Sequence, residues 1–201
     1  MLSGGMRISV VLGSAILIIL ALALLLTPSA ETIPFVVKGK AGDIEFREYP
    51  PLVLAVADNS NNDAGFSLLF AYISGSNRAH TTIAMTAPVI TSQKIAMTAP
   101  VFSNATSMAF VMPAGKPRNE IPDPLDNRVR IETLPGREIA VLRFSGYASA
   151  DDVRAAESRL ADGLKTAGVT PVGQPFLMRY NPPWIPGFLR QNEVGIEIQR
   201  Q

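Results

Sequence analysis

From Ile44 to Val56 apolar and polar residues alternate, with Ile44 and Phe46, then Leu52, Leu54 and Val56, expected on one face. A two-residue period marks strands, and Pro50-Pro51 between the two runs predicts the turn of a hairpin. Between Asp63 and Gly75 the apolar residues fall at 66, 69, 70 and 73. That spacing predicts a helix, with Asp63 as its N-cap and Gly75 as its C-cap. The same order then recurs. Val129–Val141 aligns with Ile44–Val56 without a gap at an offset of 85: Ile44 meets Val129, Phe46 meets Ile131, Pro50 meets Pro135, and Leu54-Ala55-Val56 meets Ile139-Ala140-Val141.

A second helix follows over Ser149–Gly168. Ser149 with Asp152 makes a capping-box pattern, and Val153, Ala156, Leu160, Leu164 and Ala167 form an apolar stripe. Further strands are predicted at 107–113, 174–181 and 193–200. The proline-rich stretches 113–127 and 181–187 read as rigid loops, the latter carrying the only tryptophan, Trp184. The pattern predicts an α+β fold with an internal duplication: one curved or barrel-like antiparallel sheet with two helices packed against it.

One phrase is spelled twice. "IAMTAPV" occupies Ile83–Val89 and again Ile95–Val101, separated by "ITSQK". A short loop between the copies predicts a hairpin. Met85 and Met97 would then give it a soft apolar wall, suited to core packing or to lining a flat ligand.

The chain opens differently. Residues 8–26 carry no charge, and a run of roughly 17–25 apolar residues can span a bilayer as a helix. Arg7 precedes the run and no Lys or Arg follows until Lys38, which places the N-terminus in the cytoplasm and the rest outside it. The run is longer than a signal peptide's apolar core, and Pro28 spoils the cleavage site after it, so it reads as an uncleaved anchor. The expected organisation is an anchor over 1–30, a linker over 31–42 and one domain over 43–201, on the periplasmic side of the membrane.

Composition removes several classes of function. There is no cysteine, hence no disulfide, thiolate metal site or thiol nucleophile. A net charge of +1 without basic clusters gives no case for nucleic acid. A single histidine, His80, cannot build a usual zinc site, no G-x-S-x-G surrounds a serine, and no glycine-rich phosphate loop occurs. Glu45, Glu48 and Glu132 could act as bases, but a solvated strand face accounts for them equally. No enzymatic activity is expected.

The ordered segments "YISGSN" (72–77), "IAMTAPV", "FVMP" (110–113), "RFSGYA" (143–148) and "YNPPWIPGFLRQNEV" (180–194) resemble the SOUL family of haem-binding proteins over residues 42–199. The resemblance implies a distorted antiparallel β-barrel flanked by two helices, with an internal pseudo-twofold, here preceded by one transmembrane helix. It also implies non-covalent binding of haem or another tetrapyrrole in an apolar groove, for buffering or trafficking. Haem commonly takes an axial ligand and basic partners for its propionates. The candidates are His80 as iron ligand, with Met85, Met97, Tyr72 and Tyr180 as alternatives. Arg78, Lys94, Arg179 and Arg190 could meet the propionates, and Trp184 could line the groove. The first strand has no histidine where some family members have one. A general lipophile-binding or sensing module of the effector-binding type is the competing expectation.

Overall fold

The computed structural model describes residues 31–58, 62–92, 107–182 and 184–199. The apolar run at 8–26, Lys94, Met97 and the second IAMTAPV copy lie outside the described residues. Among those described, no helix is long and apolar enough to cross a membrane.

The strands in chain order are β1 (Glu31–Thr32), β2 (Val36–Ala41), β3 (Ile44–Tyr49), β4 (Leu52–Ala57), β5 (Thr86–Ala87), β6 (Val89–Ser92), β7 (Ser107–Val111), β8 (Val129–Leu134), β9 (Arg137–Ser145), β10 (Thr170–Arg179) and β11 (Gln191–Gln199). The helices are α1 (Asn62–Ile73), after β4, and α2 (Ala150–Thr166), after β9. β1 and β5 form a short parallel pair, while the other nine strands form one antiparallel sheet in the order β2-β3-β9-β11-β10-β6-β7-β4-β8.

The expected hairpins do not form. β3 pairs with β9, from Ile44 opposite Leu142 to Tyr49 opposite Arg137. β4 pairs with β8, from Ala57 opposite Val129 to Leu52 opposite Leu134. Each repeat gives its strands to the other, and the offset of 85 turns the Ile44–Leu142 pair into the Val129–Ala57 pair. Apart from β2, the strand order is a palindrome in which β3 corresponds to β8, β9 to β4, β11 to β7 and β10 to β6. Pro50-Pro51 is therefore a crossing point between sheet positions. Ile44 and Phe46 consequently face away from Leu52, Leu54 and Val56, the reverse of the expected common face.

The sheet is open rather than a closed barrel. β2 folds back on β3 and takes its outer edge, so β3 has no free backbone groups left for β8. β6, which follows the first IAMTAPV copy, has β7 and β10 on its two edges, and the predicted pairing of the two copies lies outside the described residues.

Both faces of the sheet are covered. On one, α1 packs Leu69, Tyr72 and Ile73 against Val53, Ala55, Ala57 and Phe110. On the same face of the other half, α2 packs Ala156, Leu160 and Leu164 against Ile44, Phe46, Ala140, Leu142 and Val194. The opposite, inner face gathers Leu52, Leu54, Val56, Ile139, Val141, Phe176 and Met178 into one cluster. Double coverage explains why all six residues of β4 are buried and apolar.

Local chemistry sets the helix ends. Ser149 caps α2: its Oγ accepts from the Asp152 amide at 3.2 Å, and the Asp152 carboxylate accepts from the Ser149 amide at 3.0 Å. Gly168, at φ 66°, ends the helix. In α1 the helix begins at Asn62, so Asp63 lies inside the first turn rather than at the cap. There its charge suits the helix dipole. Leu160 is 2% exposed at the centre of the α2 contact. Leu160→Ala is expected to lower stability by about 2–5 kcal/mol in urea unfolding, the range for a buried leucine.

Candidate functional site

The parity of β3 that buries Ile44 and Phe46 under α2 turns Glu45, Arg47 and Tyr49 to the inner face. The parity of β11 does the same for Gln191 and Glu193. Two charges thus meet inside the protein. The Arg47 guanidinium donates from Nη1 to Glu193 Oε2 at 2.8 Å and from Nη2 to Glu193 Oε1 at 3.0 Å, while Nε donates to Glu45 at 2.9 Å. The Arg47 side chain is 2% exposed and that of Glu193 is fully buried. The Glu193 carboxylate also accepts from the Tyr180 hydroxyl at 2.7 Å, Gln191 Nε2 at 3.3 Å and Arg143 Nε at 3.4 Å.

This cluster has a lid. Phe35 lies under the Arg47 guanidinium, 4.3 Å from its carbon, and against Tyr49 with ring centroids 5.3 Å apart. Ile33, two residues earlier, is buried in the inner core and donates its amide to the Ala87 carbonyl at 3.3 Å. Burial works against the Arg47 charge, but its hydrogen bonds to Glu193 and Tyr49 outweigh that and hold it more firmly protonated than usual. Burial, then the negative charge of Glu193, pushes the Tyr180 phenol well above its ordinary range. Burial also raises Tyr49. Glu45 is lowered by its hydrogen bond from Lys40 and then by Arg47.

A carboxylate with five hydrogen bonds and no solvent contact is neither an available base nor an open ligand site. The pair joins β3 to β11 and fixes their mutual position. Among the described residues, no group of three or more His, Asp or Glu could hold a metal.

Of the sequence-predicted residues, Tyr180 and Glu45 belong to this cluster, and the others lie elsewhere. Tyr72 is 1% exposed in the α1 core, and its hydroxyl donates to the Pro122 carbonyl at 2.7 Å. Burial lifts its phenol to about 12. Arg78 and His80 sit in the exposed turn beyond α1, where the Arg78 amide donates to the Asp123 carbonyl and the His80 amide to the Asn77 carbonyl. His80 is one of two non-glycine residues with positive φ among those described, at 51°. The segment then returns to the helix through the Ile83 amide, which donates to the Ile73 carbonyl at 2.8 Å, and Met85 follows, 37% exposed. Tyr72, Arg78, His80 and Met85 therefore share the region around the C-terminal end of α1. On the same helix Phe66 and Phe70 stack at 5.9 Å and remain partly exposed. Trp184, 73% exposed, and Arg190 are on the loop before β11. Arg179 is turned to the helix side, donating to Thr91 Oγ1 at 3.0 Å, and burial lowers its pKa.

Arg47 and Glu193 were not singled out by sequence. The available signal was parity: Glu45, Arg47 and Tyr49 alternate with the buried Ile44 and Phe46, so polar side chains had to occupy the sheet's second face.

The architecture is α+β: an open, duplicated antiparallel sheet of nine strands with two helices on one face and a buried ion pair on the other. The chain belongs to the SOUL haem-binding protein family, whose model, described as "SOUL heme-binding protein", matches residues 30–197. It is a family of binding proteins. No curated protein matches the chain. Among solved structures, the EcmrR C-terminal domain shares 12% identity at a TM-score of 0.56, covering 79% of this chain and 98% of that one. An uncharacterized conserved protein from Listeria innocua shares 12% at 0.53, covering 81% and 94%. A hydrolase from the same organism shares 11% at 0.50, covering 81% and 94%. At such identities the likeness is one of fold.

Proposed function

We propose that the chain binds haem or a related tetrapyrrole on its exterior, beside the C-terminal end of α1, and serves in buffering or trafficking at the outer face of the cytoplasmic membrane. Membership of the family supports the ligand class. The observation that carries the site is His80. It is exposed and retained in a left-handed backbone conformation, which costs a side chain with a Cβ roughly 1–2 kcal/mol. The fully buried Asn77 holds this turn, donating to the Tyr72 and Thr81 carbonyls and accepting from the Thr81 amide, and so fixes where the His80 imidazole stands. An exposed imidazole can ligate iron, Met85 lies five residues further on, Arg78 offers a guanidinium for a propionate, and the Phe66–Phe70 stack supplies apolar surface on the same helix.

Haemin titration of the full-length chain in detergent, followed in the Soret band, tests this. Wild type is expected to saturate with a shifted band. His80→Gly is expected to lose that shift while keeping or slightly raising its melting temperature, because glycine tolerates the left-handed turn. An unchanged shift in the variant would remove His80 as ligand. No shift in either, with non-tetrapyrrole amphiphiles raising the melting temperature instead, would move the ligand class to general lipophiles.

A further inference from the structure

Arg179 ends β10, which lies beside β6 where the half of the sheet under α2 meets the half under α1. It is opposite Val89 on one side and Asn192 on the other. Its Nη1 reaches across β6 and donates to Thr91 Oγ1 at 3.0 Å. Arg190 comes from the loop before β11, two residues ahead of Asn192. That loop is braced. The Arg190 guanidinium packs over the Tyr147 ring at 4.7 Å, and its Nε donates to the Ile185 carbonyl at 2.6 Å. The Gly146 amide donates to the Gly187 carbonyl at 3.0 Å, and Asn192 Nδ2 donates to the Gly146 carbonyl at 2.9 Å. A Cβ at Gly187 would lie 2.5 Å from the Tyr147 ring, so only glycine allows this approach.

Charge sets Arg179 apart. It is half-buried, yet among the described residues no carboxylate reaches it, and Thr91 is its one side-chain hydrogen-bond partner. The charge that acts on it is another cation: burial lowers the pKa of Arg179, and Arg190 lowers it further. Arg47 is the contrast, more deeply buried but matched by Glu193 and Glu45. A charge withdrawn from water is as a rule paired, because the hydration it gives up must be replaced. No protein anion among the described residues does this for Arg179. Its Nη1 is bonded to Thr91, and the donors on Nε and Nη2 remain to be given.

We infer that Arg179 and Arg190 bind an oxyanion, the carboxylate or phosphate group of a small-molecule ligand, on the helix face of the sheet. A guanidinium presents parallel N–H donors at the spacing of carboxylate and phosphate oxygens. Thr91 accepts from Arg179 and keeps its own O–H to donate. Tyr147, 67% exposed, flanks Arg190 and gives the rest of such a ligand an aromatic edge. The site contains neither His80 nor Met85, and it does not depend on the tetrapyrrole reading.

Thermal unfolding of the full-length, haem-free chain in a neutral detergent tests this. Sodium phosphate or sodium acetate replaces sodium chloride at constant ionic strength. Wild type is expected to gain melting temperature up to a plateau. A plateau with phosphate alone assigns a phosphate group, and one with acetate alone a carboxylate. Arg179→Gln is expected to need at least roughly tenfold more anion for the same gain, the factor that goes with one hydrogen bond to a charged group. In chloride alone it is expected to melt at the same temperature or higher, since an unmatched charge has been removed. Arg190→Gln is expected to weaken the response as well, and His80→Gly to keep it. A gain without a plateau, equal in wild type and Arg179→Gln, is the general effect of an excluded salt and overturns the site. No response to either anion overturns it too. A response lost in His80→Gly would place the anion at the iron site and also overturn it.

Discussion

Replacing Glu193 with alanine is expected to lower the stability of the domain by about 3–5 kcal/mol, the range for removing one partner of a buried ion pair. The variant takes away the acceptor for two bonds from Arg47 and for single bonds from Tyr180, Gln191 and Arg143. It leaves the Arg47 charge at 2% exposure with Glu45 as its remaining carboxylate. Water cannot replace what is lost, because Phe35 and Tyr49 cover the guanidinium. Urea unfolding midpoints measure the loss. The pair itself is a costly way to fill the space, so Arg47→Met combined with Glu193→Leu is expected to recover most of it. A loss below about 1 kcal/mol in Glu193→Ala would be the behaviour of a surface pair and would mean that solvent reaches the cluster.

Alkaline pH is expected to unfold the domain through its phenols. Tyr49, Tyr72 and Tyr180 are all raised, first by burial, and Tyr180 next by the Glu193 carboxylate. A raised folded value means the neutral phenol is favoured in the native state. The stability is fully present below the ordinary phenol value of about 10 and is lost as pH rises through the folded values. For Tyr72, held to about 12, this corresponds to roughly 3 kcal/mol. Phenolate absorbance from these three residues should appear together with the loss of circular dichroism. In Tyr72→Phe the decline in stability above pH 10 should be shallower. Phenolate absorbance from all four tyrosines well before any unfolding would show that burial does not protect them.

Periodicity in the sequence missed β1 and β2, which lie in the stretch 31–42 read as a linker. It located both helices and most strands closely, because each packs one face against a core and its apolar residues must keep step with its geometry. The duplication was legible for the same reason: Ile44–Val56 and Val129–Val141 answer the same packing demand. Pairing was not legible. Pro50-Pro51 turns the chain equally well into a hairpin or into a crossing, and no local feature of β3 or β4 distinguishes the partners β9 and β8. The open edge was hidden too, since the outcome depends on β2, which reads as linker with its exposed Val36 and Val37. In α1 the expected stripe at 66, 69, 70 and 73 is only half buried: Phe66 and Phe70 stay exposed, while Tyr72, named for its phenol, joins Leu69 and Ile73 in the core. Arg47 went unnoticed because charge in a sequence looks solvated until both faces of its strand are known to be covered.

The exchange of strands between the repeats has a consequence for how the protein comes into being. When the first repeat has been synthesised, β3 has only β2 beside it, and β9, its second neighbour, is still to be made. β4 likewise waits for β8. Neither half can complete its sheet in advance, and the contacts that close the structure join residues far apart in the chain, which makes folding slow and late. The first half can pair β4 with β7 and β7 with β6 beneath α1 on its own, but the nine-stranded sheet is completed only after β9 to β11 have been made.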